Sequence, residues 1–176
     1  MADTGINYAG SLTYNDFNNP NNALGSPDSY YATSFLGSFN EWIYIQLVVG
    51  GTVTGDNNNL DALLPLSTPA AITFGSSTDK WGLSLSPADI NASDFGIYVE
   101  LKNASWFPYL KLTNYSFSVP SGATIDGIEA IMTGYYTSSR GNIYHYIDSV
   151  GIKVYYTAGS SGIPKHFLHY AKLRSN

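Results

Sequence analysis

The chain has no cysteine, few charged residues and no long apolar run. Each absence excludes something. Without cysteine there is no disulfide framework and no thiolate-ligated metal, which suits assembly in a reducing cytoplasm or indifference to redox state. Charged residues make up 12% of the 176, about half the ~25% of an ordinary globular domain. The net charge of −5 excludes charge-driven nucleic-acid binding by the whole chain. No apolar run approaches the ~18 residues of a membrane helix, so no membrane partner is expected. No apolar stretch follows Met1-Ala2-Asp3, so no signal peptide is expected either. The chain lacks a nucleophile elbow, a phosphate-binding glycine loop and a metalloprotease helix motif. The expectation is a protein that is not an enzyme and uses no cofactor.

Tyrosine, asparagine, serine and threonine take the place of charge, with 15 Tyr in all. Tyrosine offers large contact area at low entropic cost, which suits a surface that meets neighbours. It is equally a good strand residue in any β-sandwich. The length suits one domain with a sizeable core.

The periodicity is that of strands. Residues 109–136, YLKLTNYSFSVPSGATIDGIEAIMTGYY, read as two long strands joined by a turn at Pro120-Ser121-Gly122. In residues 41–49, Ile43, Ile45, Leu47 and Val49 share one face, with Trp42, Tyr44 and Gln46 on the other. Both faces are bulky, so this strand is central or covers an interface. Residues 95–102 alternate cleanly, with Ile97, Val99 and Leu101 inward. Residues 70–74 form a brief strand, and 143–157 a long strand or bent pair with Val150, Ile152, Val154 and Tyr156 on one face. Residues 137–142 read as a loop, and 60–66 as a helical turn or short strand. Residues 1–41 are turn-rich with short strands at most. Ser86 and Pro87 open a one-turn helix, with Asp89 at the capping-box position. About eight strands with frequent turn signals favour an all-β sandwich, jelly-roll-like, over a barrel.

Several polar groupings bear on metal or sugar chemistry. His166 and His169 have helical ligand spacing, but the tail supplies no carboxylate beside them. His145 lies in an aromatic strand and reads as a surface or interface residue. Asp56, Asn58 and Asp61 lack the alternating carboxylates and distant Glu of a helix-loop-helix calcium site, so a solvated loop is the stronger reading. Sequons at Asn91, Asn103 and Asn114 follow from an Asn/Ser-rich composition. Trp42, Trp81 and Trp106 are candidates for a glycan-facing platform, against the plainer reading of Trp81 packed under its own turn.

Five segments carry a resemblance. They are NP and NA at 19–23 with DSYYAT at 28–33, TFGSSTDKWG at 73–82, SPADINASDFG at 86–96, VPSGATIDGIE at 119–129 and IDSVGIKVYYT at 147–157. Together with the strands around them they cover somewhat over half of the chain. In them the chain resembles a jelly-roll-like β-sandwich module recurrent in tailed-bacteriophage virion structural proteins. The order departs from that module, whose hairpin block precedes the Trp-Gly element instead of following it. The resemblance implies a virion subunit assembled in the bacterial host cytoplasm, with copies of itself (a trimer is the natural form) and a major capsid or tail protein as partners. It implies no catalytic residues.

The tail is set apart by charge. Residues 1–158, the expected sandwich domain, hold all 13 acidic residues and a net charge of −8, whereas residues 159–176 hold Lys165, Lys172 and Arg174 and no acid. Residues 159–162, GSSG, read as a flexible linker. The arm at 163–176 also carries His166, Phe167, Leu168, Tyr170 and Leu173. It is expected to pack on its own domain or, the favoured reading, to anchor on a neighbouring subunit of opposite charge. The function expected is a homo-oligomeric capsid decoration (cement) or tail accessory protein held by this arm. The alternative is a carbohydrate-binding adhesin module that recognises a host surface glycan.

Overall fold

A computed structural model of the chain describes residues 1–15, 17–28, 31–36, 42–59, 66–102, 108–139 and 142–159. Two antiparallel sheets pack face to face as a β-sandwich. The strands are β1 (Ala2–Asp3), β2 (Asn7–Tyr8), β3 (Ser11–Asn15), β4 (Ala32–Leu36), β5 (Trp42–Val49), β6 (Thr52–Thr54), β7 (Ala70–Ser76), β8 (Gly96–Lys102), β9 (Tyr109–Thr113), β10 (Thr124–Ser139) and β11 (Asn142–Thr157). One sheet runs β3-β9-β8-β5-β6. The other is organised by the long pair β10–β11, with β7 on the outer side of β10. Beyond β11, the short strands β1, β2 and β4 pair with successive stretches of its free side.

The alternation read in the sequence gives the core. Ile43, Ile45 and Leu47 of β5, Ile97, Val99 and Leu101 of β8, and Leu110 and Leu112 of β9 are all buried. Opposite them lie Ile128, Ala130 and Met132 of β10 and Val150, Ile152 and Val154 of β11. Each such aliphatic side chain contributes roughly 1.5–3 kcal/mol by leaving water. Gly50 and Gly51, at φ of 57° and 73°, join β5 to β6, and only glycine takes both left-handed positions of that tight turn without strain.

The hairpin reading of residues 109–136 is overturned. β9 pairs with β3 and β8 in one sheet, and β10 pairs with β7 and β11 in the other. Pairing stops at Thr113 because Asn114 and Ser116 adopt left-handed φ values of 61° and 54°. Residues 114–123 form a strap between the sheets. Tyr115, Phe117 and Val119 still alternate inward and are buried, so their period reflects packing without a ladder. The Tyr115 hydroxyl donates to the carbonyl of Val150 at 3.1 Å, which satisfies a fully buried polar group. Burial alone pushes that hydroxyl's pKa well up.

The loop expected at 137–142 is also mostly strand. β10 runs to Ser139 and β11 resumes at Asn142, with Thr137 paired to Tyr144. The aromatic cross-strand pairs there outweigh the turn-prone composition. Residues 60–66, read as a helical turn or short strand, lie outside the described residues apart from Leu66, which bridges to Tyr136.

The one-turn helix α1 (Pro87–Asn91) forms as its caps dictate. Ser86 Oγ accepts from the Asp89 N–H at 3.3 Å, and Asp89 Oδ2 accepts from the Ser86 N–H at 2.8 Å. The Ser86 N–H, and then the Ser86 hydroxyl donating to the same oxygen at 2.7 Å, hold the Asp89 carboxyl below the ordinary carboxylate range. Asn91 then clamps the strap, exchanging hydrogen bonds of 2.8 Å with both the N–H and the carbonyl of Val119. Ser86→Ala is expected to lower stability by about 1 kcal/mol, read from the urea midpoint at unchanged slope. A midpoint equal to that of the parent would show the cap to be dispensable.

Candidate interaction surfaces

The Trp-Gly element is scaffold. Asp79 Oδ1 accepts from the Trp81 N–H at 2.7 Å, and Asp79 Oδ2 accepts from the Asn58 side-chain amide at 2.9 Å. The turn places Trp81 at φ 57° and drives its indole into the core, where it has no exposed area. Its Nε1–H donates to the carbonyl of Ile128 at 3.0 Å. Trp81 is therefore withdrawn from the glycan-facing set, because a ring sealed in the core cannot stack on a sugar. Of Trp42 only the backbone is described, paired with Lys102, and Trp106 lies outside the described residues. The arm residues Lys165, His166, Phe167, Leu168, Tyr170, Lys172, Leu173 and Arg174 lie outside them too.

The loop with Asp56, Asn58 and Asp61 is described in part. The Asn58 Nδ2–H donates to Asp79, and Asp56 is packed against Gly82, where an added Cβ would lie 2.6 Å from its carboxylate. Asp61 lies outside the described residues. Among the described residues no three His, Asp or Glu side chains gather as a metal site. Among them, too, no helix is long and apolar enough to cross a membrane. His145, expected at the surface or an interface, is fully buried in the sandwich between the inner-face positions Ile143 and Ile147. The strand parity that places those two inward places His145 with them.

Among the described residues, two outer sheet faces and one groove stand out, and strand parity sets the two faces. On the outer face of the β10–β11 sheet, register places Tyr135 directly opposite Tyr146. Their rings stack at 4.5 Å between centroids with planes 5° apart. Tyr31 stands edge-on to both, at 5.2 and 6.2 Å. Near-equal distances put Tyr31 beside the stack, and Tyr135 and Tyr146 each give one ring face to the other. Burial, then the neighbouring Tyr146 and Tyr31, pushes the Tyr135 hydroxyl pKa up. Tyr144, farther along the same face, is 36% exposed.

The outer face of the β5–β8–β9 sheet is mixed. Tyr98 and Tyr109 lie 5.4 Å apart with planes tilted by 30°. The Tyr98 hydroxyl donates to Glu100 at 3.0 Å, and Lys102 Nζ lies 4.9 Å from the centre of the Tyr44 ring. Burial and then the Glu100 carboxylate push the Tyr98 hydroxyl strongly up.

The third surface is a groove of about 320 Å³ between β6 and the segment that follows the Trp-Gly turn. Val49, Leu83 and Leu85 line it, with Thr52, Thr54 and Asp89.

Sequence reading passed over Tyr31, Tyr135 and Tyr146 as individuals. Its usable signal was the tyrosine count, since only the β10–β11 register shows which rings meet. Comparison with protein-family models, curated proteins and solved structures finds no match to this chain.

Proposed function

We propose that this chain is a structural, non-enzymatic component of a tailed-phage virion. It is a homo-oligomeric surface protein, a capsid decoration or tail accessory of jelly-roll-like type, held by its C-terminal arm. The module resemblance supplies the setting. The observation that carries the contact role is the Tyr31–Tyr135–Tyr146 cluster. Three rings packed on each other at a sheet surface form a rigid, hydroxyl-edged patch of the kind that anchors protein contacts.

Deleting residues 159–176 is expected to leave a folded sandwich that fails to assemble. Circular dichroism and particle incorporation measure the two halves of that expectation. Full incorporation of the truncated protein would end the anchoring role.

One observation favours the carbohydrate-binding alternative. Tyr98 and Tyr109 lie side by side at a shallow tilt, with Glu100 beside them to accept from sugar hydroxyls. Glycan-array binding abolished by Tyr98→Ala and Tyr109→Ala would establish it.

A further inference from the structure

We propose that the groove beside β6 receives the basic arm, residues 163–173, of a second copy of this chain. The inference deepens the homo-oligomeric reading above and rests on it. Three features of the groove select this occupant.

The first is chemistry. The lining is mixed: Val49, Leu83 and Leu85 give apolar contact, beside Thr52, Thr54, Ser84 and the carboxylate of Asp89. The Asp94 carboxylate is close by, 4.0 Å from where a Cβ on Gly51 would lie. Lys111 is the nearby countercharge, and its Nζ is engaged with the carbonyl of Gly51. The arm matches with Phe167 and Leu168 for the three apolar side chains and Lys165 and Lys172 for the acids. Asp89 keeps its charge to mildly acidic pH, because the Ser86 donors lower its pKa.

The second is the edge. Among the described residues β6 pairs only with β5, so its outer side offers backbone groups for strand addition. A groove of this volume sits at the low end of the ~300–1,000 Å³ of ligand clefts. It has room for the anchors of an extended peptide.

The third is position. The chain passes Gly159 in tight backbone contact with Gly122, where a Cβ would lie 2.0 Å from the Gly122 carbonyl. Gly122 closes the strap that Asn91 clamps at Val119, and Asn91 ends the helix whose Asp89 lines the groove. The arm thus leaves the sandwich at the α1 end. Residues 160–176 span on the order of 55 Å when extended, enough to reach the same groove on an adjacent copy.

The cysteine-free chain makes the test direct. Full-length Thr52→Cys is mixed with size-tagged, full-length Leu168→Cys and oxidised mildly. The control partner is Thr13→Cys, at the opposite edge of the same sheet. The expected result is a mixed disulfide at least about fivefold above the control. Equal yields from Thr52→Cys and Thr13→Cys would overturn the proposal. So would a Thr52→Cys/Leu168→Cys double variant that closes only within one chain, which would place each arm in its own groove. Light scattering of the unaltered protein separates the two levels of failure. An oligomer without selective crosslinking removes the groove assignment alone, whereas a monomer removes the homo-oligomeric reading with it.

Discussion

Trp81→Ala is expected to destabilise the sandwich by about 3–5 kcal/mol, the range for deleting a large buried aromatic. For a domain of this size that lowers the melting temperature by on the order of 10 °C. Two costs add. The indole fills the junction between the Trp-Gly turn and β10 with no exposed area, so alanine leaves a cavity. The Ile128 carbonyl also loses the donor that satisfies it at 3.0 Å. Trp81→Phe keeps most of the volume and loses the hydrogen bond, so it should fall between the parent and alanine. Urea unfolding at constant slope is the measurement. A loss under about 1 kcal/mol for alanine would show that the site collapses freely and that Trp81 is no structural plug.

Gly75→Ala should be comparably damaging from the other side of the same junction. Gly75 sits on β7 at φ 75°, a left-handed position that costs an L-residue about 1–2 kcal/mol. An added Cβ would also lie 2.4 Å from the Ile128 carbonyl and 2.7 Å from Trp81 Nε1. The carbonyl belongs to the β10 backbone and cannot swing away, so overpacking of roughly 1–3 kcal/mol adds to the strain. The contact with the indole predicts coupling. In a Trp81→Ala background, Gly75→Ala should cost less than alone, because one of its two clashes has gone. A double-mutant cycle with no coupling energy would contradict the shared junction.

These two residues show how far the sequence could be read. The TDKWG string marked a turn, and Ser86-Pro87 with Asp89 marked a capped helix, because both signals act within a few residues. Clean alternation in 97–101 and 43–47 identified buried faces correctly, since parity alone decides which side of a strand is wet. Alternation does not name a partner strand. Residues 109–119 alternate through Leu110, Leu112, Tyr115, Phe117 and Val119, yet the ladder ends at Thr113 and the chain crosses to the other sheet. Two non-glycine residues in left-handed conformation caused that, and composition gave no warning of them.

The candidate surfaces divide in the same way. The tyrosine count suited a contact surface or simply strands, and the basic composition of 159–176 set the tail apart from the acidic body. Neither said that Tyr135 meets Tyr146, which depends on a register set over β strands of 16 residues and on the bulge between Thr133 and Gly134.

By itself, then, the sequence determined the all-β class, the buried faces of the regular strands, the cap of the short helix and the opposite charges of body and arm. Each of these depends on side-chain chemistry and neighbours close along the chain. The tertiary structure alone decided that Trp81 is a plug and not a ligand platform, and that the 109–136 block is a crossover and not a hairpin. It alone brought Tyr31 beside the stacked pair and left a groove along β6. Those outcomes depend on which distant segments share the core, and long-range packing chooses among partners that local sequence leaves equivalent.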